Sequence, residues 1–403
     1  DRLIDLEMAD AGVWLATGNA LSDLGEFAQA LGAFENSVRL DPNDAEVHHN
    51  LARACYQLGD VSRACEHLES AIGLSDSINS WQSLATLLPA WPEANQRKLI
   101  DVRKRFAKKL AEYTGTRWPA ETDRPACQRH DGPIRIGYLC AFFHNANYTK
   151  PVWGLINHHD RTKVQVSLFS DSPIEQGLDC YRPHESDRVY DIRPLDNQQL
   201  GDAIRTADID ILVELNAYSY EPRLSLFLEY PAPVVIAWWA MYASSGLPCI
   251  DYLIGDDEMI RPAEVEHFSE TVLCLPLSYL TFSVDYPVPA VVDPPCLRND
   301  HFTFGSLVTQ YKITPGVMDA WCEILRDVPG SRLILANKAL KSSQNRLYVL
   351  EQFANRGIAP ERIELRGPSD HATYLRNYDD IDIALDAFPY NGGTTTMEAM
   401  WQG

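Results

Sequence analysis

Residues 382–403 read DIALDAFPYNGGTTTMEAMWQG, and the fold class of the chain is decided here. Asp382-Ile383-Ala384-Leu385 has the short apolar pattern of a buried parallel strand near its end. Pro389, Asn391, Gly392 and Gly393 form a dense cluster of turn formers. Thr394, Thr395 and Thr396 then lead into Met397, Glu398, Ala399, Met400 and Trp401, which have helical spacing. Strand, glycine turn and hydroxyl-rich helix start together make an anion-binding device. The free N–H groups of a helix N-terminus and the positive end of its dipole suit a phosphate. Glycines let such a group approach the backbone, and Thr394 and Thr395 add hydroxyl donors. The same residues would also serve as an ordinary N-cap after a loop.

Upstream, strands and helices alternate. Strands are expected at 301–307, 331–336 and 362–365, with helices at 312–325, 345–356 and 371–378. Thr314 is a good N-cap with Pro315 at the first helical position. Before a proline-rich linker at 287–295, further strands are expected at 134–139, 164–169, 209–215, 234–238, 252–254 and 272–275. This order predicts two parallel, doubly wound sheets with ligands at the carboxyl ends of their strands. The first strand-end loop, 142–150, carries His144, Asn145, Asn147 and Lys150. His144 could accept a proton from a substrate there, or it could cap a helix in a polar, solvated loop. The loops at 216–219 and 238–248 are rich in aromatics, small residues and hydroxyls, among them Tyr218, Ser244, Ser245 and Gly246.

The first ninety residues repeat with a period of 34. Leu24-Gly25-Glu26 recurs as Leu58-Gly59-Asp60, Ala30 as Ala64, Phe34 as Leu68, and Trp14 is matched by His48. Small residues (Gly18, Ala30, Ala64) fall where helices must approach closely. The pattern is that of the tetratricopeptide repeat, two antiparallel helices per unit, with units at 11–44 and 45–78 and a third that decays by Pro92. Such arrays offer a concave surface to extended peptides, or pack simply as helical hairpins. Residues 93–113 read as one charged connector helix.

Composition narrows the function classes. With 403 residues and 45% hydrophobic content, the chain can bury two or three cores. A formal net charge of -21 argues against a nucleic-acid or anionic-membrane surface. Nine scattered cysteines without a CxxC pair suit a reducing, cytoplasmic setting rather than a disulfide or zinc framework. No run of eighteen apolar residues is present, so no membrane span is expected.

Leu385-Asp386, Pro389 to Thr395, Glu398 and Trp401 to Gly403 resemble the donor-diphosphate segment of the O-GlcNAc transferase family, which includes bacterial homologues and SPINDLY-type O-fucosyltransferases. The stretch from Phe304 to Pro315 resembles that family's segment with the donor-phosphate lysine, here Lys312. Ser244-Ser245-Gly246 matches the end of a further family loop. The resemblance implies a GT-B glycosyltransferase: repeats at 1–90, a connector at 91–130, a first Rossmann-like domain at 131–296 and a second at 297–403. It implies inverting transfer of a sugar from UDP-N-acetylglucosamine, or from GDP-fucose, to a protein Ser/Thr hydroxyl presented by the repeats. No metal or other cofactor is expected, because the Asp-x-Asp spacings at Asp208 and Asp380 open strands rather than follow them. Carried over residue by residue, Lys312 neutralises the diphosphate with Gly392, Gly393, Thr394 and Thr395. Tyr374 stacks on the base, Glu398 binds the nucleoside and Ser245 faces the donor.

Three departures stand out. Family histidines are replaced by Ala146, Tyr218 and Gly393, and His144 lies near the first of these without matching it. They favour a rival expectation, a non-catalytic repeat scaffold with a degenerate transferase module. Four strands in the second domain against the usual five or six imply an incomplete domain. An exposed edge near 383 and an uncovered helix around Met397, Met400 and Trp401 are expected from it.

Overall fold

The computed structural model describes residues 10–127, 130–144, 146–173 and 180–403. It divides into two compact units: one joins the chain up to Glu93 with Pro287–Gly403, and the other is Ala94–Tyr286.

The repeats form helices α1 (Ala11–Asp23), α2 (Phe27–Leu40), α3 (Ala45–Gln57), α4 (Val61–Leu74) and α5 (Ile78–Leu87). Asp10, Asp44 and Asp60 accept backbone N–H groups at the starts of α1, α3 and α4. Gly25 and Gly59 take positive φ in the turns that end α1 and α3, a conformation open to glycine at no steric cost. Gly18 is required for a different reason: a methyl group there would overlap the ring of Phe34. Pro89 lies in a short 3-10 turn, Leu88–Ala90, that follows α5, so the array stops being regular where proline removes an N–H.

The unit Ala94–Tyr286 opens with α6 (Gln96–Thr114). Its seven parallel strands are β1 (Ile134–Cys140), β2 (Val164–Ser170), β3 (Arg188–Asp191), β4 (Ile211–Glu214), β5 (Val234–Ala237), β6 (Tyr252–Asp256) and β7 (Thr271–Leu275). They lie in the order β3-β2-β1-β4-β5-β6-β7. Helices α7 (Ala146–Asn157) and α8 (Asn197–Thr206) belong to the crossovers. Tyr138, Val152, Trp153, Val166, Leu168 and Trp238 are at the centre of its core.

The α/β part of the other unit has β8 (Thr303–Ser306), β9 (Arg332–Ala336), β10 (Ile363–Arg366) and β11 (Ile383–Ala384), all parallel, in the order β10-β9-β8-β11. Helices α9 (Pro315–Asp327), α10 (Ser343–Ala354), α11 (His371–Leu375) and α12 (Thr394–Trp401) complete it. Thr314 caps α9 as its sequence predicts, accepting from the Val317 N–H. In both sheets the strand order reverses beside the first strand, between β1 and β4 and between β8 and β11. Ligands of such sheets sit at the carboxyl ends of that pair. At the opposite, amino end an aspartate pins the pair together. Asp210 accepts from the Arg135 backbone N–H at 2.9 Å and from its guanidinium, and Asp382 accepts from the N–H groups of Thr303 and Cys296, both at 2.8 Å. These are the Asp-x-Asp acids of the sequence, engaged in holding strands.

β11 is the edge strand of its sheet, with Ile383 49% exposed, and Met400 and Trp401 of α12 are 72% and 50% exposed. All nine cysteines are free thiols. Among the described residues no helix is long and apolar enough to cross a membrane.

Replacing Asp382 by alanine leaves the N–H of Thr303, at the start of β8, and that of Cys296, in a preceding 3-10 turn, without their acceptor. Asp382→Ala is expected to lower unfolding free energy by about 1–3 kcal/mol, read as a reduced urea midpoint at unchanged slope.

Candidate functional site

Lys312 closes a 3-10 turn, Gln310–Lys312, after β8. Its Nζ donates to the backbone carbonyl of Asn391 at 2.8 Å and stands 4.1 Å from the centroid of the Tyr390 ring. The side chain is half-buried. Loss of water pushes its pKa down to about 8, while the negative charge of Asp386 pulls the other way. The ammonium thus reaches across from β8 to the glycine turn that follows β11.

That turn is shaped by Asp386. One carboxylate oxygen accepts from the N–H groups of Ala387 at 2.8 Å and Gly392 at 2.7 Å, and the other accepts from the Thr396 hydroxyl at 2.8 Å. Gly392 is obligatory in this packing: an added methyl would overlap the Thr396 hydroxyl and sit 3.2 Å from Asp386 Oδ1. Gly393 is the N-cap residue of α12 and has no side chain to cap it, so only its carbonyl serves, accepting from Thr396 N and Met397 N at 3.1 and 3.2 Å. Thr394 and Thr395 occupy the first turn of that helix.

Glu398 is 4% exposed, and one of its oxygens is 2.9 Å from His371 Nε2. The His371 ring stacks on that of Tyr374, with centroids 6.2 Å apart and planes at 18°. Tyr378 donates to the Thr395 carbonyl at 3.1 Å, tying the helix after β10 to the start of α12. Burial pushes the Tyr374 phenol up to about 12, so it stays a neutral, ring-presenting group. Lys312, Tyr374, Gly392, Gly393, Thr394, Thr395 and Glu398 therefore all fall on the segments that follow β8, β10 and β11. Such a place supplies a cation, helix N–H groups, hydroxyls, an aromatic face and a carboxylate. That set matches a nucleoside diphosphate: charge for the phosphates, a ring for the base, a carboxylate for ribose hydroxyls.

His144 and Ser245 belong to the other unit. His144 follows β1 and is exposed, and its backbone N–H reaches Ser172 Oγ at 3.4 Å. Asn145 lies outside the described residues. Lys150, taken with it as a loop residue, is instead on α7 and 2% exposed, with its Nζ 4.1 Å from the Tyr286 ring centroid. Ser245 is fully buried. Its hydroxyl donates to Glu270, its N–H donates to the same carboxylate at 2.7 Å, and its carbonyl accepts from the Tyr218 hydroxyl at 2.7 Å. Ser244 Oγ also donates to Glu270, at 2.8 Å. Arg103 of α6 lies 4.1 Å from the Tyr218 ring centroid and donates to the Ser244 carbonyl at 2.7 Å. These groups build the loop, and the Ser245 hydroxyl is committed to Glu270 rather than turned outward to a donor.

Other groups escaped the sequence. Asp386 is quoted within the family segment but given no role of its own, although an acid directly after a strand and before a glycine turn is a visible signal, and His371 is given none. Glu214 ends β4, is 2% exposed and accepts from Asn216 N at 2.6 Å and Ala217 N at 2.8 Å, yet burial still pushes its pKa up to about 7. A charged residue inside the run Ile211-Leu212-Val213-Glu214-Leu215 was its only mark. Ala217 and Trp239, at the ligand ends of β4 and β5, hold φ of 47° and 49°, which a side chain makes unfavourable.

With this geometry in hand, comparison with known proteins is direct. A family model described as glycosyl transferase family 41 matches residues 113–286 and 295–403. The chain belongs to glycosyl transferase family 41. A tetratricopeptide repeat model matches residues 15–77. A barley (Hordeum vulgare) relative named "Probable UDP-N-acetylglucosamine--peptide N-acetylglucosaminyltransferase SPINDLY" is 31% identical over 341 residues, covering 81% of this chain and 35% of its own. The Arabidopsis thaliana protein of the same name is 30% identical over 343 residues, covering 81% of this chain and 36% of its own. The chain thus spans about a third of the length of these curated relatives. Among solved structures, a lysine-to-methionine mutant of the Thermobaculum terrenum O-GlcNAc transferase superposes with a TM-score of 0.81 at 27% identity, over 100% of this chain and 76% of that one. Helical repeats followed by parallel-sheet α/β domains are thus the GT-B-like architecture of this family-41 chain.

Gly392→Ala is expected to break the Asp386–Thr396 contact. Amide exchange across residues 386–396 should accelerate on the order of tenfold or more, as for loss of about 1.4 kcal/mol of local stability, with rates in β8 and β9 unchanged.

Proposed function

We propose that this family-41 chain transfers a sugar from a nucleotide diphosphate sugar to a protein Ser/Thr hydroxyl. The observation that carries the proposal is the seat of Lys312: a half-buried ammonium held against the glycine turn by the Asn391 carbonyl. Charge develops on the diphosphate as the glycosidic bond to the sugar breaks. An ammonium already fixed beside that position, together with the first N–H groups of α12 and the Thr394 and Thr395 hydroxyls, stabilises the leaving group without reorganisation. Tyr374 and Glu398 supply the face and the carboxylate for the nucleoside. UDP-N-acetylglucosamine is the donor we favour, since the barley and Arabidopsis relatives bear that donor in their names. Inversion at the sugar, independence of metal and presentation of the acceptor by the repeats belong to the same proposal.

A second reading has a specific observation in its favour. Tyr218 and Gly393 stand where family histidines are expected, and the Tyr218 hydroxyl is spent on the Ser245 carbonyl. On that reading the chain is a repeat scaffold that binds partners and does not transfer sugar.

Incubation with UDP-N-acetylglucosamine or GDP-fucose and an acceptor peptide mixture, followed by mass spectrometry of the peptides, separates the two. Lys312→Ala should reduce transfer roughly a hundredfold, as for removal of one preorganised charge stabiliser. The pH dependence has a fixed sign. Lys312 is charged below about 8 and neutral above it, and the diphosphate favours the charged form. UDP affinity measured by calorimetry should therefore fall as pH rises from 7.5 to 9.5, with proton uptake on binding, and Lys312→Ala should flatten that slope.

A further inference from the structure

The repeats do more than adjoin the α/β part of their unit; two of their turns are built into it. The α1–α2 turn is gripped by α10. Asn345 Nδ2 donates to the Gly25 carbonyl at 2.9 Å, its Oδ1 accepts from Ala28 N at 3.0 Å, and Ser342 Oγ donates to Glu26. The α3–α4 turn, one period later, presses on the residue after Lys312. Gly59 holds φ of 94°, and a methyl there would overlap the carbonyl oxygen of Ile313. Beside this contact Tyr56, the penultimate residue of α3, stacks on Tyr311 with ring centroids 4.8 Å apart and planes at 18°. Tyr311 in turn lies against Tyr390, with centroids 6.2 Å apart, and the Tyr390 ring carries the Lys312 ammonium at 4.1 Å. The rings form one continuous row from a repeat helix to the candidate phosphate cation.

We propose that Tyr56 is a positioning residue for Lys312, fixing through Tyr311 and Tyr390 the seat on which its ammonium rests. Tyr311 is held from one side by Tyr56 and from the other by Tyr390. Tyr390 itself stands on the turn whose carbonyl at Asn391 accepts a hydrogen bond from Lys312. Removing the first ring takes away the face on which the second stacks, and the seat of the third shifts with it. Lys312 gains water and loses its fixed direction. Asp386 is the charged group that faces it and is untouched by the change. The repeats would then set the geometry of donor binding, in addition to any contact with an acceptor. The proposal rests on the reading of Lys312 as the diphosphate cation for its functional meaning, but the positioning itself can be tested without any nucleotide.

The full chain, labelled with carbon-13 at the lysine ε position, is titrated by NMR, with Lys312→Arg used to assign the resonance. In the unsubstituted chain the Lys312 signal should titrate near the depressed value of about 8. Tyr56→Ala and Tyr56→Leu should both move the midpoint up by about half a pH unit or more, toward the ordinary lysine value, as burial is relieved. Tyr56→Phe should leave it in place, since the ring and not the hydroxyl does the stacking. Calorimetry with UDP should show affinity falling about three- to thirtyfold in Tyr56→Leu, the range of coupling between packed neighbours, and recovering in Tyr56→Phe. A simple docking role would lower stability and leave the Lys312 midpoint alone. A folded Tyr56→Leu chain with an unmoved midpoint overturns the proposal. Failure of UDP to bind the unsubstituted chain would overturn the functional reading instead, and the titration would still decide the positioning.

Discussion

An ammonium that gives up part of its water must be met by something else, and the rest of the glycine-turn cluster depends on how Lys312 is met. A backbone carbonyl and an aromatic face replace its hydration. Neither carries a formal charge, so the lysine is stabilised enough to stay in place but not neutralised. Its nearest opposite charge, Asp386, spends its oxygens on two N–H groups and a hydroxyl of the turn itself. The depressed lysine pKa follows from this arrangement, because a cation with incomplete compensation holds its proton less tightly.

The two ends of each sheet are treated in opposite ways. At the amino ends, Asp210 and Asp382 take strand N–H groups at short range and leave little freedom. At the carboxyl ends, the chain carries glycines, hydroxyls and aromatic rings on longer segments. A parallel sheet makes this division possible, because all its strands point one way and all the ligand-facing loops gather on one side. Glu214 shows where the division is costly: a carboxylate at a strand's ligand end holds its loop from inside and is driven toward neutrality by burial.

Much of this was legible in the sequence, for reasons that can be named. The repeat was visible because its close approaches demand small residues at fixed spacing, as Gly18 does against Phe34. The buried strands were visible as apolar runs. β3 was missed because it is an edge strand whose residues, Arg188 to Asp191, are mostly exposed and show no alternation. The strand expected at 301–307 shortens to Thr303–Ser306, with the Phe302 carbonyl still accepting from Arg332 N at 2.9 Å just ahead of it. The gathering of the glycine turn, the threonines and Lys312 was legible because they lie on short segments that directly follow strands. The Ser244–Ser245 loop misled in its chemistry: hydroxyls look alike in sequence whether they face a ligand or a buried glutamate, and Glu270 lies 25 positions away in the chain. His371 became meaningful only when folding set its ring beside Glu398.

The paired use of the Leu-Gly-acid turns restricts how this array can change length. Turn one meets Asn345 of α10 and turn two meets Ile313 after the Gln310–Lys312 turn, and the separation of those partners is set by the α/β part that carries both. One repeat of 34 residues added between Leu40 and Asp44 would carry the first turn out of reach of Asn345, however well the new helices stacked. Repeats added ahead of Ala11 would disturb neither grip. Growth of the array is therefore directional: it is keyed like a toothed rack at one end and free to lengthen only at the other.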